Sequence, residues 1–284
     1  MQRSFTIPAL CVKLRLQPGE IPVFTVPIEP KLQPAINPAS LNAVEFAEQI
    51  LRFHPDPTQV QIMLSQSKRI LLNCTRQWGK STTTAAIAAH RLLTGPAGNL
   101  TLVVAPCARQ SAETVRKIEH FVRIAGHPTK GDGENSASIL MPNGSRVVGL
   151  PGTDGTIRGF SAVSLLIVDE AARVDDDTYN AVKPMLATSG GAIMLLSTPN
   201  GQRGFFYKAW SSEPDWERFT VNADDCPRIS KSFLAEQRIS YDANTYRQEF
   251  LCEFHAADNA TFDPEWVHGA LAENEIPWEF PGVF

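Results

Sequence analysis

Four short, almost unbroken apolar runs constrain this chain more than anything else in it: "RILLNC", "LTLVVAP", "SLLIVDE" and "AIMLLSTP", all within residues 69–199. A strand with one face in water alternates apolar and polar residues, whereas a strand covered on both faces does not. Helix-like stretches separate several of the runs. Strands alternating with helices specify an α/β fold with a mainly parallel central sheet flanked by helices, and ligands collect beyond the carboxyl ends of such strands. Functional residues are therefore expected just after each run. The 43% of hydrophobic residues among 284 suffices for a core of this kind. "ASILMPNGSRVVGLPG" reads as a hairpin around Pro-Asn-Gly, "ERFTVNAD" as a further strand, and "SKSFLAEQRISYDANTYRQEFLCEF" as helix broken near Asp242 and Asn244.

The first run leads into "TRQWGKSTTTAA". A strand, a glycine-lysine-serine turn and a helix-forming stretch are the context of a phosphate-binding loop: backbone N–H groups wrap the phosphates and the helix dipole favours negative charge. Lys80 would reach the β- and γ-phosphates, the Ser81 hydroxyl would ligate Mg²⁺, and Gly79 would permit close approach. Cys74 stands where the usual pattern has its first glycine, so an ordinary strand-turn-helix is the competing reading.

Three further strand ends carry chemistry, each with a plainer alternative. Asp169 and Glu170 supply two carboxylates, one to hold Mg²⁺ and one to orient or deprotonate water; acids in a first helical turn are the bland version. Ser197, Thr198 and Asn200 can sense a terminal phosphate, or belong to a Pro-Asn-Gly turn. Arg158, in the glycine-flanked loop "GTIRGF", fits an arginine supplied to a transferring phosphoryl group, or a solvated surface arginine. Asp175, Asp176 and Asp177 are consecutive on a turn and read as helix caps, not as a metal cluster.

Residues 1–40 carry Pro8, Pro18, Pro22, Pro27, Pro30, Pro34 and Pro38 and are expected to form an extended arm. "SLNAVEFAEQILRF" then spaces its apolar residues as an amphipathic helix, with Ser40 as its expected N-cap. A net charge of -4 argues against a constitutive basic nucleic-acid binder without excluding a local basic groove. The five cysteines and six histidines show no metal or disulfide spacing. "TIPALC" lacks the basic and apolar regions of a leader before it, and no run approaches the ~18 apolar residues of a membrane span. These features read as a reduced, cytoplasmic protein without a membrane partner.

In order, "HPDPTQVQI", "TRQWGKS", "LVVAPCARQSAET", "IRGFSAVSLLIVDEAA" and "STPNGQRGFFYKAW" resemble the ATPase domain of the large terminase subunit, the DNA-packaging motor of tailed bacteriophages and prophages. The resemblance covers about residues 50–255 and implies an α/β P-loop NTPase of ASCE type spanning 41–256. It implies ATP and Mg²⁺ as cofactors, with a phosphate loop of Arg76, Gln77, Trp78, Gly79, Lys80, Ser81 and Thr82, and makes Cys74 a family-style variation. Gln59 would contact adenine, Arg76 would face phosphate, Asp169 would hold the metal and Glu170 would activate water. Arg158 would serve a neighbouring subunit's site in a homo-oligomeric ring. Ser197, Thr198 and Asn200 would couple hydrolysis to movement; Arg203 and Lys208, after that motif, read either as DNA contacts or as exposed basic residues on a solvated face. Implied partners are double-stranded DNA, a portal protein and a small terminase subunit, met in the host cytoplasm and transiently at the procapsid portal. Members of the family continue into a nuclease domain. Residues 257–284 are expected to be a linker or the start of one, and no endonuclease activity is expected from this chain. A helicase-like DNA-stimulated ATPase, and a non-catalytic nucleotide-binding assembly protein or prophage remnant, are the alternatives.

Overall fold

The computed structural model describes residues 37–152 and 159–255, together with the backbone of Thr6–Ile7 and Leu10–Cys11. The chain divides into two units, Met1–Ile36 and Asn37–Phe284. In the first, β1 (Thr6–Ile7) and β2 (Leu10–Cys11) pair antiparallel, with Thr6 opposite Cys11. The rest of the expected arm up to Ile36, and residues 257–284, lie outside the described residues.

In the second unit the apolar runs become the inner strands of a seven-stranded sheet. Its strands are β3 (Arg69–Cys74), β4 (Leu100–Ala105), β5 (Ser138–Leu140), β6 (Arg146–Pro151), β7 (Val163–Asp169), β8 (Ala192–Ser197) and β9 (Glu217–Val221). They lie in the order β5-β6-β4-β7-β8-β3-β9. Every pairing is parallel except β5 with β6, the Pro-Asn-Gly hairpin.

The unbroken apolar character of the runs has a direct cause, because successive residues serve opposite faces. Ile70, Leu72 and Cys74 of β3, Leu165 and Ile167 of β7, and Met194 and Leu196 of β8 pack beneath α1 (Ala43–Gln49), α2 (Pro57–Leu64), α3 (Lys80–Thr94) and α4 (Ala108–Ile124). Leu71, Leu166, Val168, Ile193 and Leu195 face α5 (Asp176–Val182) and α6 (Gly204–Ser211) on the other side. After β9 the chain forms α7 (Lys231–Ser240) and α8 (Ala243–Glu249), broken at Asp242, which caps α8 through Thr245 N. Leu234, Tyr246, Phe250 and Ala223 make a small core there. The segment after α8 returns to the end of β3, where the Asn73 amide donates to Cys252 O at 2.8 Å.

One expectation about caps is corrected, and that for Asp175–Asp177 holds only for Asp176, on a different helix. Ser40 does not cap α1: it closes a short 3-10 turn over Pro38–Ser40, and Asn42 forms a capping box with Glu45 instead. Asn42 wins because the box satisfies donors reciprocally, Asn42 Oδ1 taking Val44 N and Glu45 N while Glu45 takes Asn42 N. Asp175 occupies the N-cap position of α5 without a side-chain capping bond among the described residues. Asp176 turns outward and accepts Phe205 N at 2.8 Å, capping the start of α6.

Candidate active site

β3 ends at Cys74, and the chain then loops over Thr75–Gly79 into α3. The loop closes tightly because Gln77 (φ 63°) and Gly79 (φ 104°) both take left-handed backbone conformations, the alternation that turns successive N–H groups into an anion-binding concavity. A β-carbon at Gly79 would come within 3.1 Å of Gln59 Nε2, so the turn is strained for anything but glycine. Gly79, the N-cap, has no side chain with which to cap the helix, and the first N–H groups of α3 point to where a ligand can accept them.

Lys80 is buried, and two of its three N–H groups are spent on Cys74 O (2.6 Å) and Thr75 O (3.0 Å). These carbonyls offset part of the cost of burying an ammonium. Cys74 is itself core, with burial pushing its thiol up to about 12. What the site uses of it is its carbonyl.

Across the sheet, β8 lies between β3 and β7, and the carboxyl ends of the flanking strands converge over it. Ser81 Oγ donates to Asp169 Oδ2 at 3.1 Å, and Thr114 Oγ1 of α4 donates to the same oxygen at 2.7 Å. Glu170 N donates to Asp169 Oδ1 at 3.0 Å. Glu170 has φ 52°, a conformation sparsely used by residues other than glycine and concentrated at functional sites. Gln59, Arg76, Gln77, Gly79, Lys80, Ser81, Thr82 and Glu170 line one cavity of about 460 Å³.

The remaining expected site residues lie elsewhere. Trp78 does not line the cavity: its indole is buried in the core beneath α1–α4, so it offers the site only its backbone. Ser197 and Thr198 are buried behind the site, Ser197 Oγ having no partner among the described residues. Asn200 donates to Ala172 O at 3.2 Å. Arg203 donates to Asn200 O at 3.3 Å and Lys208 lies 3.7 Å from Asp176. Arg158 lies outside the described residues.

Three residues that sequence reading missed organise the site. Arg228, in the turn after β9, donates to Trp78 O (2.7 Å), Gln59 Oε1 (3.2 Å) and Asp56 (3.2 Å). The fully buried Gln59 also accepts Asp56 N at 3.0 Å through the same oxygen, completing a capping box on α2. Glu249, the last residue of α8, bonds Arg76 Nε at 2.7 Å, Arg173 Nη2 at 2.6 Å and Thr198 Oγ1 at 3.1 Å. Arg173 reaches Glu170 Oε2 at 3.1 Å with its other terminal nitrogen. Burial alone would push the Glu249 carboxyl up, but the hydrogen bond from Arg76 and the charges of Arg76 and Arg173 hold it below the usual carboxylate range. Only Arg173 carried a local signal, being one helical turn beyond Glu170.

With a Gly-Lys-Ser turn heading α3 and the acids of β7 set two strands over, the fold is that of a P-loop NTPase of the ASCE group. Residues 71–268 match the family described as "Terminase large subunit, T4likevirus-type, N-terminal". The chain belongs to that family. It is 24% identical over 250 residues to the terminase large subunit of Thermus virus P23-45, a match covering 75% of this chain and 51% of that protein. It therefore spans about half the length of the curated relatives it matches. The large terminase ATPase domain of Thermus phage P74-26 superposes with a TM-score of 0.67 at 22% identity, covering 75% of this chain and 99% of that one. The large terminase of a thermophilic bacteriophage in complex with ATP-gamma-S gives 0.59 at 14% identity, covering 70% and 52%. These structural likenesses establish the fold.

Proposed function

We propose that this chain binds and hydrolyses ATP, and that in an assembled packaging machine it couples hydrolysis to movement of double-stranded DNA into a procapsid. The observation that carries the reading is the 3.1 Å contact between Ser81 and Asp169, which gathers the loop and the acids of β7 around one cavity shared by Lys80 and Glu170. The first N–H groups of α3 and the ammonium of Lys80 bind the phosphates. Ser81 and Asp169 offer adjacent hard oxygens suited to Mg²⁺; when bound, that ion neutralises charge on the phosphates. Glu170 takes a proton from the attacking water. Arg158 serves a neighbouring subunit's site in a homo-oligomeric ring, while Ser197, Thr198 and Asn200 transmit the change of state. A portal protein and a small terminase subunit are the partners, in the host cytoplasm and transiently at the portal. The family membership and the terminase fold support this reading.

Phosphate release measured with and without double-stranded DNA, across a range of protein concentration, tests it. Turnover is expected to rise with both DNA and concentration, because the site is completed between subunits. DNA stimulation is expected to fall with salt and to be indifferent to sequence. No phosphate release above that of a protein-free blank under any of these conditions overturns the proposal.

Base recognition gives a second prediction. Gln59 Nε2 lies over Gly79 while its Oε1 is held by Asp56 N and Arg228. Arg228→Ala removes the short bond to Trp78 O and one of three hydrogen bonds on the Gln59 amide. Hydrogen bonds from a charged donor contribute about 1.5–3 kcal/mol, and Arg228 is partly exposed, so ATP affinity is expected to fall about ten-fold. Preference for ATP over GTP is expected to narrow with it. Calorimetric titration with both nucleotides checks this, and unchanged affinity with unchanged preference removes Gln59 and Arg228 from base recognition.

A further inference from the structure

The carboxyl ends of β3, β7 and β8 carry the nucleotide cavity, and their amino ends carry another. The three strands are adjacent and parallel, so Arg69, Val163 and Ala192, which begin them, share the edge of the sheet opposite Cys74, Asp169 and Ser197. A cavity of about 500 Å³ opens on that edge, between the turn before β8, the end of α2 and the last turn of α3. Its lining holds two cations, Lys68 and Arg91, and no carboxylate among the described residues. In a chain of net charge -4 this is a local excess of the opposite sign. The acids on the same edge are engaged elsewhere, Asp215 by Arg69 at 3.2 Å and Glu217 by Ser65. Lys68 is exposed, with its ammonium over the Gly190 turn, where a β-carbon would lie 3.3 Å from Nζ. Arg91 is partly buried, and among the described residues its guanidinium makes no hydrogen bond or ion pair. Burial draws it below its usual value and no neighbouring charge acts against that. The carboxyl end of α3 favours a cation one turn away, but the Arg91 carbonyl is taken by Gly95 N and Asn99 Nδ2, and the guanidinium donates to none of the last carbonyls. A guanidinium withdrawn from water without an acceptor is costly unless an anion meets it.

We propose that this cavity is a second anion site, on the opposite edge of the sheet from the phosphate loop, and that it takes a small phosphate-bearing ligand between Arg91 and Lys68. The charge decides the class. A phosphate group carries nearly two negative charges at neutral pH and matches both cations, whereas one carboxylate leaves a cation uncompensated. Its oxygens suit the planar fork of an arginine together with the point charge of a lysine. The volume is that of a small-molecule site. The Cβ-free Gly190 leaves room for the lysine to close over the ligand. None of these residues touches the loop, so the site stands or falls independently of the nucleotide reading.

The test uses the full chain with inorganic phosphate as the probe, acetate as the carboxylate control and chloride to hold ionic strength constant. Saturating ATP-gamma-S fills the loop first, and binding is then followed by calorimetry and thermal melts. Wild type is expected to take up about one equivalent of phosphate and to melt higher with it, acetate giving a smaller shift. Arg91→Met keeps the length and removes the charge. It is expected to melt higher than wild type without phosphate, since an unpaired charge is gone, and to bind phosphate about ten-fold more weakly, the loss of one charge-assisted hydrogen bond. Lys68→Gln, at an exposed position, is expected to fold as wild type and to lose phosphate affinity a few-fold. ATP-gamma-S affinity is expected to be unchanged in both variants, so a failure of the nucleotide reading shows separately. Should ATP-gamma-S not bind, the same differences between wild type and the variants are expected in its absence. If Arg91 merely complements the end of α3, Arg91→Met melts lower than wild type and the phosphate response persists in both variants. That pattern overturns the inference, as does the absence of saturable phosphate binding to wild type. Weaker binding of a DNA duplex by Arg91→Met, with no binding of free phosphate to wild type, overturns it too and assigns the cations to nucleic acid.

Discussion

Glu170→Gln is expected to slow ATP turnover by about 10²–10⁴-fold, the range for loss of a positioned general base, while nucleotide affinity stays within a few-fold of wild type. The substitution is nearly isosteric, so the Arg173 contact at 3.1 Å can persist as a hydrogen bond from the guanidinium to the amide oxygen. The strained backbone at φ 52° is the same strain for either residue. The phosphate-binding groups of the loop and α3 are untouched. What disappears is the capacity to accept a proton at the mouth of the cavity. Single-turnover hydrolysis beside equilibrium binding of ATP-gamma-S separates the two effects. Turnover within two-fold of wild type would show that another group activates water. A parallel loss of binding would show instead that Glu170 holds the loop through Arg173 and Glu249.

Much of this geometry was legible before any fold was seen, and the reason is local. β3, β4, β7 and β8 announce themselves because a strand buried on both faces needs apolar residues at every position, and Ile70 to Leu72 or Leu165 to Val168 have them. Gly79 was legible because no other residue fits a φ of 104° against Gln59. The insertion of β8 between β3 and β7 was not, since parallel strands joined by crossovers leave no sequence mark of their lateral order. Glu249 and Arg228 were hidden for a related reason. Their partners Arg76 and Trp78 lie 173 and 150 residues away along the chain, and only the return through α7 and α8 brings them together. Within a helix Glu249 resembles any other charged residue. The cap at Asn42 was legible but misplaced, because Ser40 also satisfies the preference and only the reciprocal bond from Glu45 decides between them.

Trp78→Ala is expected to cost about 3–5 kcal/mol of folding stability, the range for removing a large buried aromatic side chain, and to lower Tm by roughly 6–20 °C at the 2–4 °C per kcal/mol typical of a domain this size. The residue stands inside a loop lined up for phosphate, where sequence reading assigns it to the nucleotide. Its indole is 1% exposed and belongs to the core with Ile62, Met63 and Ile70. Its carbonyl is the point at which Arg228 (2.7 Å) and Gln59 (3.4 Å) grip the loop. The side chain anchors the backbone, and the backbone gives the base-binding residues something to hold. Emptying the indole's place should therefore weaken ATP even well below the melting temperature. Trp78→Phe, which retains most of the apolar volume, should lose less of both. Gln77→Ala supplies the contrast, since Gln77 lines the cavity and its φ of 63° is no better suited to alanine. Its stability change is expected to stay within about 0.5 kcal/mol, as for positions outside the core. Thermal melts of the three variants, with and without saturating ATP-gamma-S, decide between anchor and ligand contact. If Trp78→Ala melted within 2 °C of wild type yet lost nucleotide affinity, the tryptophan would act directly on the ligand and the anchoring argument would fall.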